Sequence, residues 1–249
     1  MGIVLKQREQ IATMRAAGRI VAETLLVVQE AVRPGVTTQE LDALAEAYIR
    51  RAGATPAYKG YRGFPATICA SVNEEVVHGI PGPRVLQDGD IISIDVGARY
   101  RGYYGDATVT LPVGTITLEA QRLLDVCRES LDIGIEQARA GRRLTDISAA
   151  IQAYVEGHGF SVIRDLYGHG IGRRLHEDPL LPHYGRPGQG PILRPGLVLT
   201  IEPMIAAGAP DWRTLEDRWT VVTRDGSLAA QFEHTVAITE NGPEILTLP

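Results

Sequence analysis

LQDGDIISID (residues 86–95) can be laid on LRPGLVLTIE (residues 193–202) at an offset of 107, and this match decides how the chain is built. Leu86 then meets Leu193, Gly89 meets Gly196, Ile94 meets Ile201 and Asp95 meets Glu202. Each copy is a turn running into an apolar strand that ends on a carboxylate. Upstream, residues 35–53 lie on 141–159 at an offset of 106, with Leu41 on Ile147, Tyr48 on Tyr154 and Ile49 on Val155. Helices and strands share biased compositions, so one such match could be chance. Two matches agreeing within one residue of offset point to a duplicated half: two helices, then a strand ending in an acid. A duplication of that kind sets two acids symmetrically about one axis, where a shared site can form.

Outward from the repeat, Ile11, Met14, Ile20, Val21, Leu25 and Val28 predict an amphipathic helix over about 8–32, stopped by Arg33-Pro34-Gly35. Thr37 followed by Glu40 is a capping-box signature, and Leu41, Leu44, Tyr48 and Ile49 carry a second helix to Gly53. A third is expected over about 117–139, with Leu124, Cys127, Leu131 and Ile135 inward. A fourth, with Ile147, Ile151, Tyr154 and Val155 inward, ends near residues 157–159. Strand-like segments are IISIDV (91–96), YYGDATVTLPV (103–113), LVLTIEPMI (197–205), WTVVTR (219–224) and FEHTVAIT (232–239). No segment between them is long enough in Gly, Ser or Pro to be an interdomain linker.

Composition narrows the class. The 249 residues carry 25 basic and 30 acidic side chains, net −5, which argues against an electrostatic nucleic-acid binder. With 44% hydrophobic and 22% charged residues the chain is globular rather than disordered. No apolar run approaches the roughly 18–20 residues of a membrane span. MGIVLKQREQ has too few apolar residues for a signal peptide, and Lys6 stands where a myristoylation motif wants Ser or Thr. Cys69 and Cys127 make neither a disulfide framework nor a C-x-x-C knot. A cytoplasmic, soluble monomer is expected.

The chemistry concentrates in acids on strands. Asp95 ends the apolar run IISIDV, Asp106 follows across a turn holding Gly97 and Gly102, Glu202 sits in LTIEPM and Glu233 in QFEHTVAIT. A carboxylate in such a position is costly to bury unless paired, protonated or metal-bound. Any one could be satisfied by an arginine or a backbone amide; four together, two of them related by the repeat, point to a common site. Alternation sends Glu233 and His234 to opposite faces. His169 lies in the glycine-flanked turn LYGHGIG. Four carboxylates and one imidazole are too many hard ligands for a lone tetrahedral zinc, and suit two divalent ions sharing bridging carboxylates around one activated water. Mn(II), Fe(II) or Co(II) fit this set at least as well as Zn(II). His78, in EEVVHGIPGP, and His176, in RRLHEDP, are candidates for substrate contacts, with core or surface roles as the alternative. His158, His183 and His234 are read as structural.

The assembled stretches SVNEEVVHGIP (71–81), ISIDVGARYRGYYGDAT (92–108), YGHGIGRRLHEDP (167–179), LTIEPM (199–204) and QFEHTVAIT (231–239) resemble the methionine aminopeptidases, in their bacterial (type I) branch. The resemblance implies an α+β pita-bread fold: one catalytic domain over 1–249, with pseudo-twofold halves of about 8–115 and 116–249 and a curved antiparallel sheet covered by helices. It implies Asp95, Asp106, His169, Glu202 and Glu233 as ligands of two divalent ions, with Asp106 and Glu233 bridging. Asp95 completes one ion, and His169 and Glu202 the other. A metal-bridging hydroxide would attack the scissile carbonyl. His78 would bind the amide region, His176 would stabilise the oxyanion, and Glu202 would also carry the proton to the leaving amine. Tyr61, Phe64, Cys69, Leu175 and Trp219 would line the methionine pocket; Leu175 departs from the aromatic that relatives often have there.

The implied activity is removal of the initiator methionine from nascent proteins and peptides with a small second residue; contact with the ribosome would have to use surface charge such as Arg142-Arg143 or Arg173-Arg174, pairs more often simply solvated. The alternatives are another pita-bread hydrolase, cleaving Xaa-Pro or creatine-like C–N bonds, and a non-catalytic binding module. The eukaryotic (type II) branch is disfavoured, because Glu202 and Glu233 stand only 31 residues apart.

Overall fold

The computed structural model describes residues 2–249. Four α-helices form where the apolar periodicity predicts them: α1 (Arg8–Ala31), α2 (Thr38–Arg51), α3 (Leu118–Gln137) and α4 (Leu144–Gly157). At the start of α2 the Thr37 hydroxyl accepts the Glu40 N–H at 3.2 Å, and the Glu40 carboxylate accepts the Thr37 N–H at 2.7 Å. Two donors that a helix start leaves unpaired are thereby satisfied. Thr117 caps α3 by accepting the Ala120 N–H at 3.1 Å. Leu44, expected among the inward positions of α2, is instead 40% exposed.

Every strand ladder among the described residues is antiparallel. Ile91–Tyr100 and Tyr103–Pro112 form a long hairpin, with Ile68–Val72 and Thr55–Pro56 paired to Ile91–Tyr100 in the same sheet. A five-stranded sheet runs in the order Gly242–Ile245, His234–Thr239, Val198–Ile201, Tyr167–Gly170, Glu177–Pro182. The two sheets meet at one bridge, Thr108 with Glu233, where the Glu233 N–H donates to Thr108 O at 2.9 Å. Beside it the Asp106 N–H donates to Thr235 Oγ1 at 3.1 Å, and that hydroxyl donates back to Asp106 O at 2.8 Å.

Two expected strands are interrupted at this seam. The segment 197–205 breaks after Ile201: Glu202-Pro203 leaves the ladder, and Met204–Ala206 joins a separate sheet with Ala229–Gln231 and Ser161–Val162. Proline has no N–H to continue a ladder, so the break falls beside it. The segment 232–239 is regular only from His234, leaving Glu233 on the isolated bridge. The segment 219–224 shortens to Val221–Thr223, which puts Trp219 on a loop.

The segments aligned in the sequence make matching hydrogen bonds. Leu86 N–H donates to Val36 O, and Leu193 N–H to Arg142 O, each at 2.8 Å. Gly35 N–H donates to Leu86 O, and Gly141 N–H to Leu193 O, each at 2.9 Å. Gly89 and Gly196 take matching left-handed turns, φ 97° and 91°, just before their strands; without a Cβ that conformation carries little cost.

Of the apolar clusters, three position the site. Val21, Leu25, Leu41 and Ile49 of α1 and α2 pack on Ile68, Ile92 and Ile94. Leu124, Leu131, Ile147 and Ile151 of α3 and α4 pack on Leu199, Ile201 and Val236. The third, with Met14, Tyr58, Phe64, Cys69, Leu175 and Val198, draws on both sheets. α1 crosses the hairpin closely, because a Cβ on Gly105 would lie 2.7 Å from Gly18 N and 2.8 Å from Gly18 Cα. Glycine at 105 lets the hairpin touch α1, while the missing Cβ of Gly18 makes room for Leu246 O.

Candidate active site

The long hairpin places the first two acids. Asp95 lies opposite Thr108, and Asp106 opposite Gly97, so the two carboxylates are diagonal neighbours on one face rather than direct partners. The missing side chain at Gly97 matters here: a Cβ there would lie 2.7 Å from Tyr58 Cε1. The Tyr58 ring occupies that space, and its hydroxyl is hydrogen-bonded to Asp95 Oδ1 at 2.5 Å and to Asp106 Oδ1. Glu233 arrives from the other sheet through its bridge to Thr108, whose hydroxyl donates to Glu233 Oε2 at 2.8 Å. Asp95, Asp106 and Glu233 each offer an oxygen within 4.8 Å of the others.

A second group sits beside this triad. His169 Nε2 is 3.8 Å from Glu202 Oε1. His169 Nδ1–H donates to Gly170 O at 2.9 Å, and since a carbonyl can only accept, the lone pair is on Nε2, facing the acid. Thr200 Oγ1 accepts the His169 N–H at 2.9 Å and donates to Glu202 Oε1 at 2.7 Å, orienting both with one hydroxyl. Behind them the Glu202 N–H donates to His183 Nε2 at 3.0 Å. His183, read as structural from the sequence, thus fixes the backbone of a site acid.

The electrostatics of this cluster call for a cation. Burial, then repulsion from Glu233 and Asp95, holds the Asp106 carboxyl well above the usual range. Burial does the same to Glu202 and Glu233, and raises Asp95 to about 6. Among the described residues their side-chain hydrogen bonds come from Tyr58, Thr108, Thr200 and Gln231, and none from a lysine or arginine. Four carboxylates and a neutral imidazole in one buried group fit divalent cations that favour oxygen donors, and leave too many donors for a single tetrahedral ion.

Every residue expected at the site lines one cleft: Tyr61, Phe64, Cys69, His78, Asp95, Asp106, His169, Leu175, His176, Glu202, Trp219 and Glu233. Part of its lining is apolar. Phe64, Cys69 and Leu175 are buried there, and Trp219 stands edge-on to Phe64 with ring centroids 5.1 Å apart. His78 holds a left-handed backbone at φ 60°, a conformation a non-glycine residue adopts only under constraint. Its ring stands edge-on to Trp219 at 6.3 Å. His176 lies between the Tyr61 ring, stacked at 5.4 Å, and the His169 ring at 4.2 Å. Its Nδ1 is hydrogen-bonded to the Tyr61 hydroxyl at 2.9 Å. Desolvation, then the neighbouring His169, Arg62 and His78, lowers the His176 pKa to about 3, so the ring is neutral near pH 7.

The supporting groups are what sequence reasoning missed. Tyr58 sits in TPAYKG without any pattern to mark it, and Gln231 two residues before Glu233 reads as an ordinary strand residue. Thr108 had a usable signal, because hairpin register sets it opposite Asp95. Arg62, Leu166 and Tyr167 at the mouth of the cleft carried none.

Residues 12–240 match the family described as metallopeptidase family M24. The chain is 56% identical to methionine aminopeptidase 1 of Bacillus subtilis over 98% of this chain and 99% of that protein. It superposes on the crystal structure of methionine aminopeptidase from Thermotoga maritima with a TM-score of 0.98, at 48% identity and with 100% of both chains covered. The Rickettsia prowazekii methionine aminopeptidase gives a TM-score of 0.98 at 45% identity, covering 99% of this chain and 100% of that one. A prolidase from Pyrococcus furiosus shares the fold, with a TM-score of 0.82 at 24% identity over 99% of this chain and 66% of its own.

Proposed function

The chain belongs to metallopeptidase family M24, and from that premise we propose how it works as a methionyl aminopeptidase that removes N-terminal methionine. The observation that carries the reading is the gathering of Asp95, Asp106, His169, Glu202 and Glu233 in one cleft with the apolar Phe64, Cys69, Leu175 and Trp219. In this reading the whole of 1–249 is one catalytic unit with halves of about 8–115 and 116–249, acting on nascent or Met-initiated peptides in the cytoplasm. No helix among the described residues is long and apolar enough to cross a membrane.

Asp95, Asp106, His169, Glu202 and Glu233 would hold a pair of divalent ions, with Mn(II), Fe(II), Co(II) and Zn(II) as candidates. Such a pair, when bound, supplies Lewis acidity to the scissile carbonyl and makes water nucleophilic near neutral pH. The chain's own groups do the rest. Phe64, Cys69, Leu175 and Trp219 seat the methionine side chain, a flexible thioether that packs well against aromatic edges. His78, across from Trp219, binds the amide that will be cleaved. With the Tyr61 hydroxyl donating to His176 Nδ1, His176 Nε2–H is free to donate to the carbonyl oxygen as negative charge grows on it. Glu202 takes a proton from the attacking water and delivers it to the leaving amine as the C–N bond breaks. Tyr61, His78 and His176 line the same cleft, and a small second residue is part of this reading.

The test is hydrolysis of Met-Ala and Leu-Ala peptide pairs by metal-loaded protein, with a Xaa-Pro series alongside. Methionine release in strong excess is expected. Equal release of leucine, or preference for the Xaa-Pro series, would overturn the assignment.

A further inference from the structure

Lys6 lies on the segment ahead of α1, yet its side chain is only 3% exposed and its ammonium ends against Glu177, the residue that follows His176. Nζ donates to Glu177 Oε2 at 2.7 Å and to Val4 O at 3.0 Å. The other Glu177 oxygen, Oε1, accepts the Arg174 N–H at 3.1 Å. One carboxylate therefore closes the turn 174–177, and His176 stands on that turn. Two glycines clear the path of the lysine. A Cβ on Gly172 would lie 2.5 Å from Lys6 Cε and 2.9 Å from Glu177 Oε1, and one on Gly196 would lie 2.7 Å from Lys6 O. The Lys6 N–H is bonded to Gly196 O at 2.6 Å, which fixes the backbone from which the side chain starts. A register shift after His169 pairs Glu177 with Gly170, so the closed turn hangs directly over His169.

We infer that Lys6 is a positioning residue for His176, acting through Glu177 to hold the imidazole where the substrate carbonyl arrives. The inference rests on the role given to His176 above. On its other side the His176 ring meets Tyr61, whose turn has left-handed residues at Gly60, Arg62 and Gly63. The buried ion pair is the rigid side of the clamp. An ion pair in such a place is a weak source of stability compared with an apolar pair of the same volume, but it fixes both oxygens of Glu177 in direction, and so the turn.

The experiment is a double-variant cycle on the metal-loaded enzyme: Lys6→Met, His176→Ala and the two combined, with kcat and KM on a Met-Ala peptide. Mn(II) affinity is measured by calorimetry. Lys6→Met should lower kcat at least about 10-fold, since misplacing a reacting group by an ångström can cost about 100-fold. KM and Mn(II) affinity should stay within about twofold, and with His176 already removed Lys6→Met should change kcat by less than about twofold. An equal kcat loss in the His176→Ala background, weakened Mn(II) binding, or wild-type kcat in Lys6→Met would overturn the inference. A His176→Ala enzyme with full kcat would overturn the role of His176 itself, and is distinguishable because it needs no change at Lys6. If Lys6→Met cannot be purified, Lys6→Met combined with Glu177→Met fills the space with apolar side chains, and should fold and show the same loss of kcat.

Discussion

Removing the divalent metal should convert the acid cluster into a source of pH-dependent instability. Burial holds Asp95 at about 6 against its ordinary 3.8. Between those two values the folded chain retains a proton that the unfolded chain has already released, so stability falls as pH rises through the window. At about 1.36 kcal/mol per unit, a gap of about two units costs roughly 3 kcal/mol, complete by about pH 7. Asp106, Glu202 and Glu233 are held well above their ordinary values, by burial first and with repulsion from fellow acids adding to it, which extends the decline to higher pH. In a protein of this size each kcal/mol moves Tm by about 2–4 °C, so Asp95 alone is worth roughly 6–12 °C. Thermal melts of chelated and Mn(II)-loaded protein between pH 5 and 8 read the effect directly. The chelated protein should melt progressively lower as pH rises, the loaded protein should hold its Tm, and chelated Asp95→Asn should show a shallower slope. A chelated wild type whose Tm is flat or climbs over that range would refute the reasoning.

Other perturbations separate the parts of the site. Asp106→Ala or Glu233→Ala should abolish two-metal binding and activity together, read by calorimetry and peptide hydrolysis on the same sample; activity surviving the loss of metal would contradict the ligand assignment. His78→Ala should leave Mn(II) uptake intact while lowering kcat. Trp219→Ala opens the apolar lining beside Phe64, and should narrow the ratio of kcat/KM for Met-Ala over Leu-Ala more than it slows Met-Ala. Gly105→Ala drives a methyl into Gly18 of α1 and should cost about 1–3 kcal/mol in urea unfolding, with no change in Mn(II) affinity.

What the sequence made legible was whatever follows from periodicity and repetition. The 107-residue offset anticipated Gly89 and Gly196 in the same turn, and the 106-residue offset anticipated matching bonds from Gly35 and Gly141. Strand acids stood out because a carboxylate in an apolar run demands a partner, and all four converge. Tyr58 was hidden because its place depends on a gap at Gly97, nearly forty residues away, which no local pattern records. His183, read as structural, is a plain acceptor for the Glu202 N–H, a particular role visible only once Pro203 is seen to break the strand there. Lys6 resembled any other charge near a chain start, and only the packing against Gly172 and Gly196 reveals its burial.

The lone bridge between Thr108 and Glu233 has a consequence for how the enzyme comes into being. On the ligand set proposed above neither half carries a complete donor set, so a growing polypeptide would have no working centre until Glu233 has been made and has found Thr108. Cleavage in the loop between Pro112 and Leu118 should yield two inert fragments, and peptidase activity would then report their reassembly. Such a split enzyme would turn on only when its two pieces are brought together.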